Sequence, residues 1–183
     1  GTYPYVTSSN TLSGAVGVGA GIPYHKMGKV LGVIKAYTTR VGHGPFPTEL
    51  IDAVGEKLQK QGAEFGSTTG RKRRCGWLDL VWLKKACWLA GVSELAITKL
   101  DVLKGISPIK IAVDYRGDQP VYEELDGFSE SIDQAARWED LPKSCQRYLK
   151  RIEGVLGLPI AMISVGAERE AHIKTNGNHG EKT

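Results

Sequence analysis

The sequence predicts an α/β chain of the mixed α+β kind, with strands alternating with helices along its length. Three observations carry this prediction. Short β-branched or apolar runs occupy residues 30–37, 95–98, 109–115 and 159–163, stretches with helical apolar spacing lie at 48–61, 77–89 and 142–156, and Gly or Pro marks many of the junctions. A chain of 183 residues, 41% hydrophobic and 24% charged, is long enough to bury a sizeable core, and it shows neither an internal repeat nor a second domain boundary. The compact unit is expected to span residues 1–173, leaving 174–183, a patternless run of Gly, Asn and charge, as a flexible tail.

Residues 2–7 alternate in a strand-like way and end on Thr7-Ser8-Ser9-Asn10, whose hydroxyl and amide groups suit a helix N-cap or a phosphate contact. The glycine-rich stretch 14–21 does not complete Gly-x-Gly-x-x-Gly, because Ile22 stands at the last position, so a loop or short helix is expected instead. After the buried strand at 30–37 and the turn-rich segment 41–47, Leu50, Ile51, Val54 and Leu58 give a helix with Thr48 as N-cap and Gly62 as its stop. Residues 66–76 have no apolar periodicity and read as a loop between two ordered elements. Trp77, Leu78, Val81, Trp82, Ala86 and Leu89 then place a helix over 77–89. Strands follow at 95–98, 109–115 and 120–123, then a helix from Leu141 or Pro142 to Leu156 ended by Gly157, and a last strand at 159–163.

Charge and cysteine usage narrow the function classes. The formal charge of +4 comes from 24 basic and 20 acidic residues, too small and dispersed an excess for a nucleic-acid coat. Cys75, Cys87 and Cys145 are odd in number, widely spaced and in no ligand pattern, which reads as reduced thiols of a cytosolic protein. No apolar run reaches the roughly 20 residues of a membrane span, and residues 1–6 lack the regions of a signal peptide. Gly1 opens the chain without an initiator Met and directly on strand-like alternation, so the sequence reads as the C-terminal portion of a longer one.

Three loops carry the chemistry. In Gly66-Ser67-Thr68-Thr69-Gly70-Arg71-Lys72-Arg73-Arg74, two hydroxyl-bearing threonines and two glycines accompany four consecutive cations. Arg presents a planar fork of donors that matches carboxylate or phosphate, and Gly lets backbone amides approach the same anion. A solvated basic turn or a nucleic-acid patch fits the charge equally well, although the absence of aromatic residues from 66–74 argues against base stacking. Lys99-Leu100-Asp101 follows a hydrophobic strand, the usual place for ligand contacts in open α/β sheets. A carboxylate there can accept from the ring N–H and exocyclic amine of guanine while a Lys stem covers the base, and an ordinary surface ion pair would look the same. Ser164-Val165-Gly166 also follows a strand; its amides suit the other side of such a base, and a plain strand-to-loop turn explains it as well.

Taken in order, Gly1-Thr2-Tyr3-Pro4-Tyr5-Val6-Thr7-Ser8-Ser9-Asn10, Arg40-Val41-Gly42-His43-Gly44-Pro45-Phe46-Pro47-Thr48-Glu49-Leu50, the run from Gly66 to Trp77 and Thr98-Lys99-Leu100-Asp101 resemble the motifs of the adenylosuccinate synthetase family, and the resemblance runs from residue 1 to about Arg169. It implies part of a larger P-loop-like GTP-binding ligase fold. It also implies a GTP-dependent ligase that joins IMP and L-aspartate into adenylosuccinate, in the branch of purine biosynthesis from IMP to AMP. The IMP 6-oxygen would attack the γ-phosphate of GTP, giving a 6-phosphoryl intermediate from which the aspartate amine displaces phosphate. Mg²⁺, a cytoplasmic location and a homodimer belong to the same expectation, with IMP, L-aspartate and GTP as small-molecule partners and neither nucleic acid nor membrane among them.

By carry-over, Thr7 would contact the IMP phosphate, and the Val41 backbone with Arg71 would meet its ribose. Ser67, Thr68, Thr69, Gly70, Arg71, Lys72 and Arg73 would form the loop that closes on aspartate, with Arg71 clamping a carboxylate and Arg73 reaching toward GTP. Lys99, Leu100, Asp101, Ser164, Val165 and Gly166 would hold guanine. No catalytic residue is expected within this chain: the family's catalytic Asp and His, its Gly-rich phosphate segment and the Mg²⁺ ligands would lie N-terminal to it. His25, His43, His172 and His179 sit in loops and tail and read as surface or structural imidazoles. Lys72 replaces an Arg of the family pattern, Ala167 a Pro, and residues 115–121 look shortened.

Overall fold

The computed structural model describes residues 2–66 and 70–175. Nine strands and four α-helices follow one another among them: α1 Ala15–Ala20, β1 Leu31–Lys35, β2 Thr38–Arg40, α2 Ala53–Gln61, β3 Arg74–Gly76, β4 Leu78–Asp79, α3 Leu80–Ala90, β5 Glu94–Thr98, β6 Ile109–Arg116, β7 Gln119–Leu125, α4 Lys143–Leu156, β8 Ile160–Ser164 and β9 His172–Lys174. The mixed α/β class expected from the sequence is what the chain adopts.

The main sheet has the order β1-β5-β8-β9, with β1, β5 and β8 parallel and β9 antiparallel to β8. β2 and β3 form an antiparallel pair, and β4, β6 and β7 a third sheet in which β6 and β7 are a hairpin. Its turn is the two-residue Gly117-Asp118 with Gly117 at φ +60°, so the segment that looked shortened is a tight hairpin.

One hydrophobic cluster joins the elements, including Leu58 of α2, Leu95 and Ile97 of β5, Ile111 of β6 and Ile163 of β8. Helix α4 buries Cys145, Tyr148, Leu149, Ile152 and Leu156, the i, i+3, i+4, i+7 and i+11 stripe of an amphipathic helix. The Tyr148 hydroxyl donates to the Ala36 carbonyl at 2.6 Å, which ties this helix to the end of β1. Gly157, at φ +66°, ends α4 with its N–H on the Glu153 carbonyl.

Several boundaries differ from the sequence reading. Residues 2–7 are not a strand: Tyr5 N–H turns back to the Thr2 carbonyl at 2.8 Å, and Tyr3, Tyr5 and Val6 are exposed. Pro4 has no N–H to give a ladder, and the apolar alternation has no described partner strand to bury it. Helix α2 starts at Ala53 rather than near Thr48, because Asp52 accepts from the N–H groups of Val54 and Gly55, both at 3.0 Å. Thr48 is instead buried, and its carbonyl receives the Trp77 N–H. Likewise Asp79 caps α3 at Leu80, while the Leu78–Asp79 stretch pairs with β6. Arg74–Gly76 is strand, not loop. Lys174 belongs to β9, although the tail was expected to begin there, and residues 176–183 lie outside the described ones.

Candidate functional site

Parallel pairing decides which loops meet. Lys35 is opposite Thr98 and Ile97 opposite Ile163, so β1, β5 and β8 deliver their carboxyl ends to one edge of the sheet. That edge therefore carries Lys35, then Lys99-Leu100-Asp101, then Ser164-Val165-Gly166, residues far apart in sequence that one register brings together. An edge of this kind is where ligands bind in open α/β sheets.

Lys99 adopts φ +63°, the left-handed region that non-glycine residues seldom occupy, and its ammonium donates to the Gly62 carbonyl at 2.9 Å. Asp101 is half-buried within the single 3-10 turn Leu100–Leu103. Leu100 and Val165 are buried and shape the turns from beneath. The Ser164 hydroxyl donates to the Gly166 carbonyl at 3.0 Å, closing the second turn. The Val165 N–H is bonded to the Ala171 carbonyl, so this amide is engaged by the protein rather than offered to a base.

Glu64 is the electrostatic centre beside this edge. Its side chain is fully buried, accepting from Lys35 Nζ at 2.8 and 2.9 Å, from the Tyr37 hydroxyl at 2.5 Å and from Arg73 Nη1 at 3.0 Å. Burial pushes this carboxyl up, while the hydrogen bonds from Lys35, Tyr37 and Arg73 pull it down further, leaving it below its ordinary value. Burial and the same carboxylate push the Tyr37 phenol up. Arg73 is thus connected to Lys35, and through it to the β1 end of the sheet edge.

Arg74 serves the other side. It forms a two-pronged ion pair with Glu49, stacks over Phe46 at 5.4 Å and donates to the Gly42 and Gly44 carbonyls. Arg40, paired with Arg74 across β2 and β3, donates to the carbonyls of His43 and Tyr5 and to the Thr2 hydroxyl. These two arginines hold the turn that carries Val41 against the segment leading to Thr7. Val41 and Thr7 are themselves exposed, and Thr7 Oγ1 accepts from the Ser9 N–H.

Arg71 and Lys72 are exposed at the neck of the basic loop, where Gly66 N–H bonds the Arg71 carbonyl and Phe65 bridges Lys72. Gly70 adopts φ +63°. Ser67, Thr68 and Thr69, expected to meet aspartate, lie outside the described residues. Lys35 and Glu64 escaped the sequence reading of the site, and Arg40 and Glu49 entered it only within a motif, with no role assigned. Lys35 was hidden because the sequence reads as strand through residue 37, whereas β1 ends at Lys35; Glu64 had no signal, being one acid in a polar stretch.

The family model for adenylosuccinate synthetase matches residues 1–173, almost the whole length of what is described. The chain belongs to the adenylosuccinate synthetase family. It is 53% identical to the adenylosuccinate synthetase of Carboxydothermus hydrogenoformans over 94% of this chain and 44% of that protein. It is 49% identical to the one from Nitratidesulfovibrio vulgaris strain DP4, over 95% of this chain and 45% of that relative. The chain therefore spans less than half the length of these relatives. Among solved structures, fully ligated adenylosuccinate synthetase from Plasmodium falciparum superposes with a TM-score of 0.92 at 40% identity, covering 96% of this chain and 46% of that one. The succinoaminodeoxyadenylate synthetase of cyanophage S-2L, at 17% identity and a TM-score of 0.59, shares the fold.

Proposed function

We propose that the chain supplies the substrate-gripping part of a GTP-dependent ligase that joins IMP to L-aspartate. The observation that carries this reading is the convergence of Lys99, Asp101, Ser164 and Gly166 on one sheet edge, with Arg73 tied to that edge through Glu64 and Lys35. Asp101 accepts from the guanine ring N–H and amine, Lys99 covers the base with its stem, and Ser164 to Gly166 bound the other side. Arg73 reaches the phosphates of GTP. Thr7 meets the IMP phosphate, the Val41 backbone and Arg71 its ribose, and the loop of Ser67, Thr68, Thr69, Gly70, Arg71, Lys72 and Arg73 closes over L-aspartate and excludes water.

In that reaction the IMP 6-oxygen attacks the γ-phosphorus, GDP departs, and the aspartate amine displaces phosphate from the 6-phosphoryl intermediate. The acid/base groups belong to the remainder of the relatives' length, so the 183 residues alone are expected to turn over nothing. Measurable adenylosuccinate from the purified chain with IMP, GTP and aspartate would refute that division. The Mg²⁺ ligands are assigned to the remainder of the relatives' length; among the described residues no three His, Cys, Asp or Glu side chains are grouped as a metal site. A homodimer and a cytoplasmic location complete the reading; sedimentation of the full-length enzyme tests the first. No described helix is long and apolar enough to cross a membrane.

Asp101→Asn in the full-length enzyme tests the guanine assignment. An amide replaces two acceptor oxygens by one acceptor and one donor, and loss of a charge-assisted pair is worth about 1.5–3 kcal/mol, roughly ten- to hundredfold in kcat/KM for GTP. The same exchange improves the match to xanthine, which carries a carbonyl where guanine carries its amine. An unaltered GTP preference over XTP would remove Asp101 from the base site. Against the alternative of a nucleic-acid patch, Arg73 and Arg74 are matched by Glu64 and Glu49, so only Arg71 and Lys72 of the four cations are exposed.

A further inference from the structure

We propose that Glu64 is a positioning residue for Arg73, presetting its guanidinium for the nucleotide while fastening the neck of the basic loop. The proposal rests on the reading of Arg73 as a GTP contact, and goes beyond it by assigning a role to a carboxylate that touches no substrate.

Glu64 grips Arg73 twice. Its carboxylate receives Arg73 Nη1 at 3.0 Å, and its carbonyl receives the Arg73 N–H at 2.9 Å. Gln59 Nε2 donates to the Arg73 carbonyl at 3.0 Å, so the main chain is held from both flanks. The rungs beyond, Phe65 to Lys72 and Gly66 to Arg71, continue this neck toward the loop. The neck is therefore anchored on a rung whose two ends are Glu64 and Arg73.

The side chain adds something the main-chain rung does not need. A carboxylate with 0% exposure is costly to desolvate, and apolar replacements of buried ion pairs are often as stable. What the charge provides is a direction: the Arg73 side chain, 32% exposed, is held by one nitrogen instead of sweeping its rotamers. Lys35, on the same carboxylate, ends β1 at the sheet edge, and Tyr37 fixes the other oxygen. Lys99, whose ammonium sits on the Gly62 carbonyl, holds the backbone two residues before Glu64. The turn at Lys99–Asp101 and the base of the loop thus share one hydrogen-bonded corner.

The test is a double-mutant cycle in the full-length enzyme with Glu64→Gln, Arg73→Ala and the combination. Glutamine keeps the size but places an amide donor among Lys35, Tyr37 and Arg73. Expected for E64Q is at least a tenfold rise in the KM for GTP with the KM for IMP within twofold of the parent, a split that general destabilisation would not produce. In the R73A background, E64Q should add less than twofold, because the residue through which it acts is gone. If R73A raises the KM for GTP while E64Q leaves it within twofold, or if the two effects multiply, the proposal is overturned and the reading of Arg73 survives. An unmoved KM for GTP in R73A overturns that reading instead, and the proposal with it. Should E64Q fail to fold for want of a counter-charge, Lys35→Met combined with E64Q, measured against K35M alone, reads the same quantity with the charge rebalanced.

Discussion

Arg73 and Arg74 are adjacent in sequence, yet each is committed to a different carboxylate and a different part of the site. Arg74→Lys keeps the charge and loses the fork on Glu49 together with donors to the Gly42 and Gly44 carbonyls; a loss of about 1–3 kcal/mol in urea unfolding is expected. Hydrogen bonding to Arg74 holds the Glu49 carboxyl below its ordinary 4.5, and Glu64 also lies below that value. A carboxylate with a depressed folded-state pKa contributes stability that is complete above the unfolded value and is lost as pH falls through the folded one. Urea midpoints should therefore drop on acidification below about 4.5, and Glu49→Gln should flatten that drop. The thiols obey the opposite sign: burial pushes Cys75 up to about 11 and Cys145 to about 12, and raises Cys87. A water-soluble disulfide reagent at pH 8 should label no cysteine until the chain unfolds. At this scale the places of Lys99, Asp101 and Ser164 at strand ends were legible in the sequence, because a polar residue after an apolar strand is a local pattern. Glu64 stayed hidden because its meaning comes from Lys35, Tyr37 and Arg73, which the fold, not proximity in sequence, gathers around it.

Elements were legible wherever one rule governed them. Helix α4 was read to within two residues because its apolar stripe, Pro142 and Gly157 agree. Helix α2 was started too early because Thr48 and Asp52 are both N-cap residues, and the choice fell to Asp52 when Thr48 was drawn into the core beneath β3. Asp52→Ala should consequently cost about 1 kcal/mol in thermal or urea unfolding, the ordinary worth of such a cap. Strands β2, β3 and β9 are each three residues long and gain their identity from a partner, which no local periodicity announces. The expected strand at residues 2–7 failed for the converse reason. It had the alternation and no ladder.

For the molecule as a whole, the class and the order of its longer elements followed from the alternation of β-branched runs with helical stripes, while the register of the main sheet did not. That register, Lys35 against Thr98 and Ile97 against Ile163, is what turns three scattered loops into one corner. The same sheet begins with β1 at its margin, where Val33 is 69% exposed and Leu31 42%. A bare margin with apolar side chains is a template for further strands. At milligram concentrations the isolated chain should thus scatter light on standing, and Val33→Lys should suppress the turbidity while shifting the melting temperature little. Shelf life in the cold room is thereby written into the first strand of this sheet.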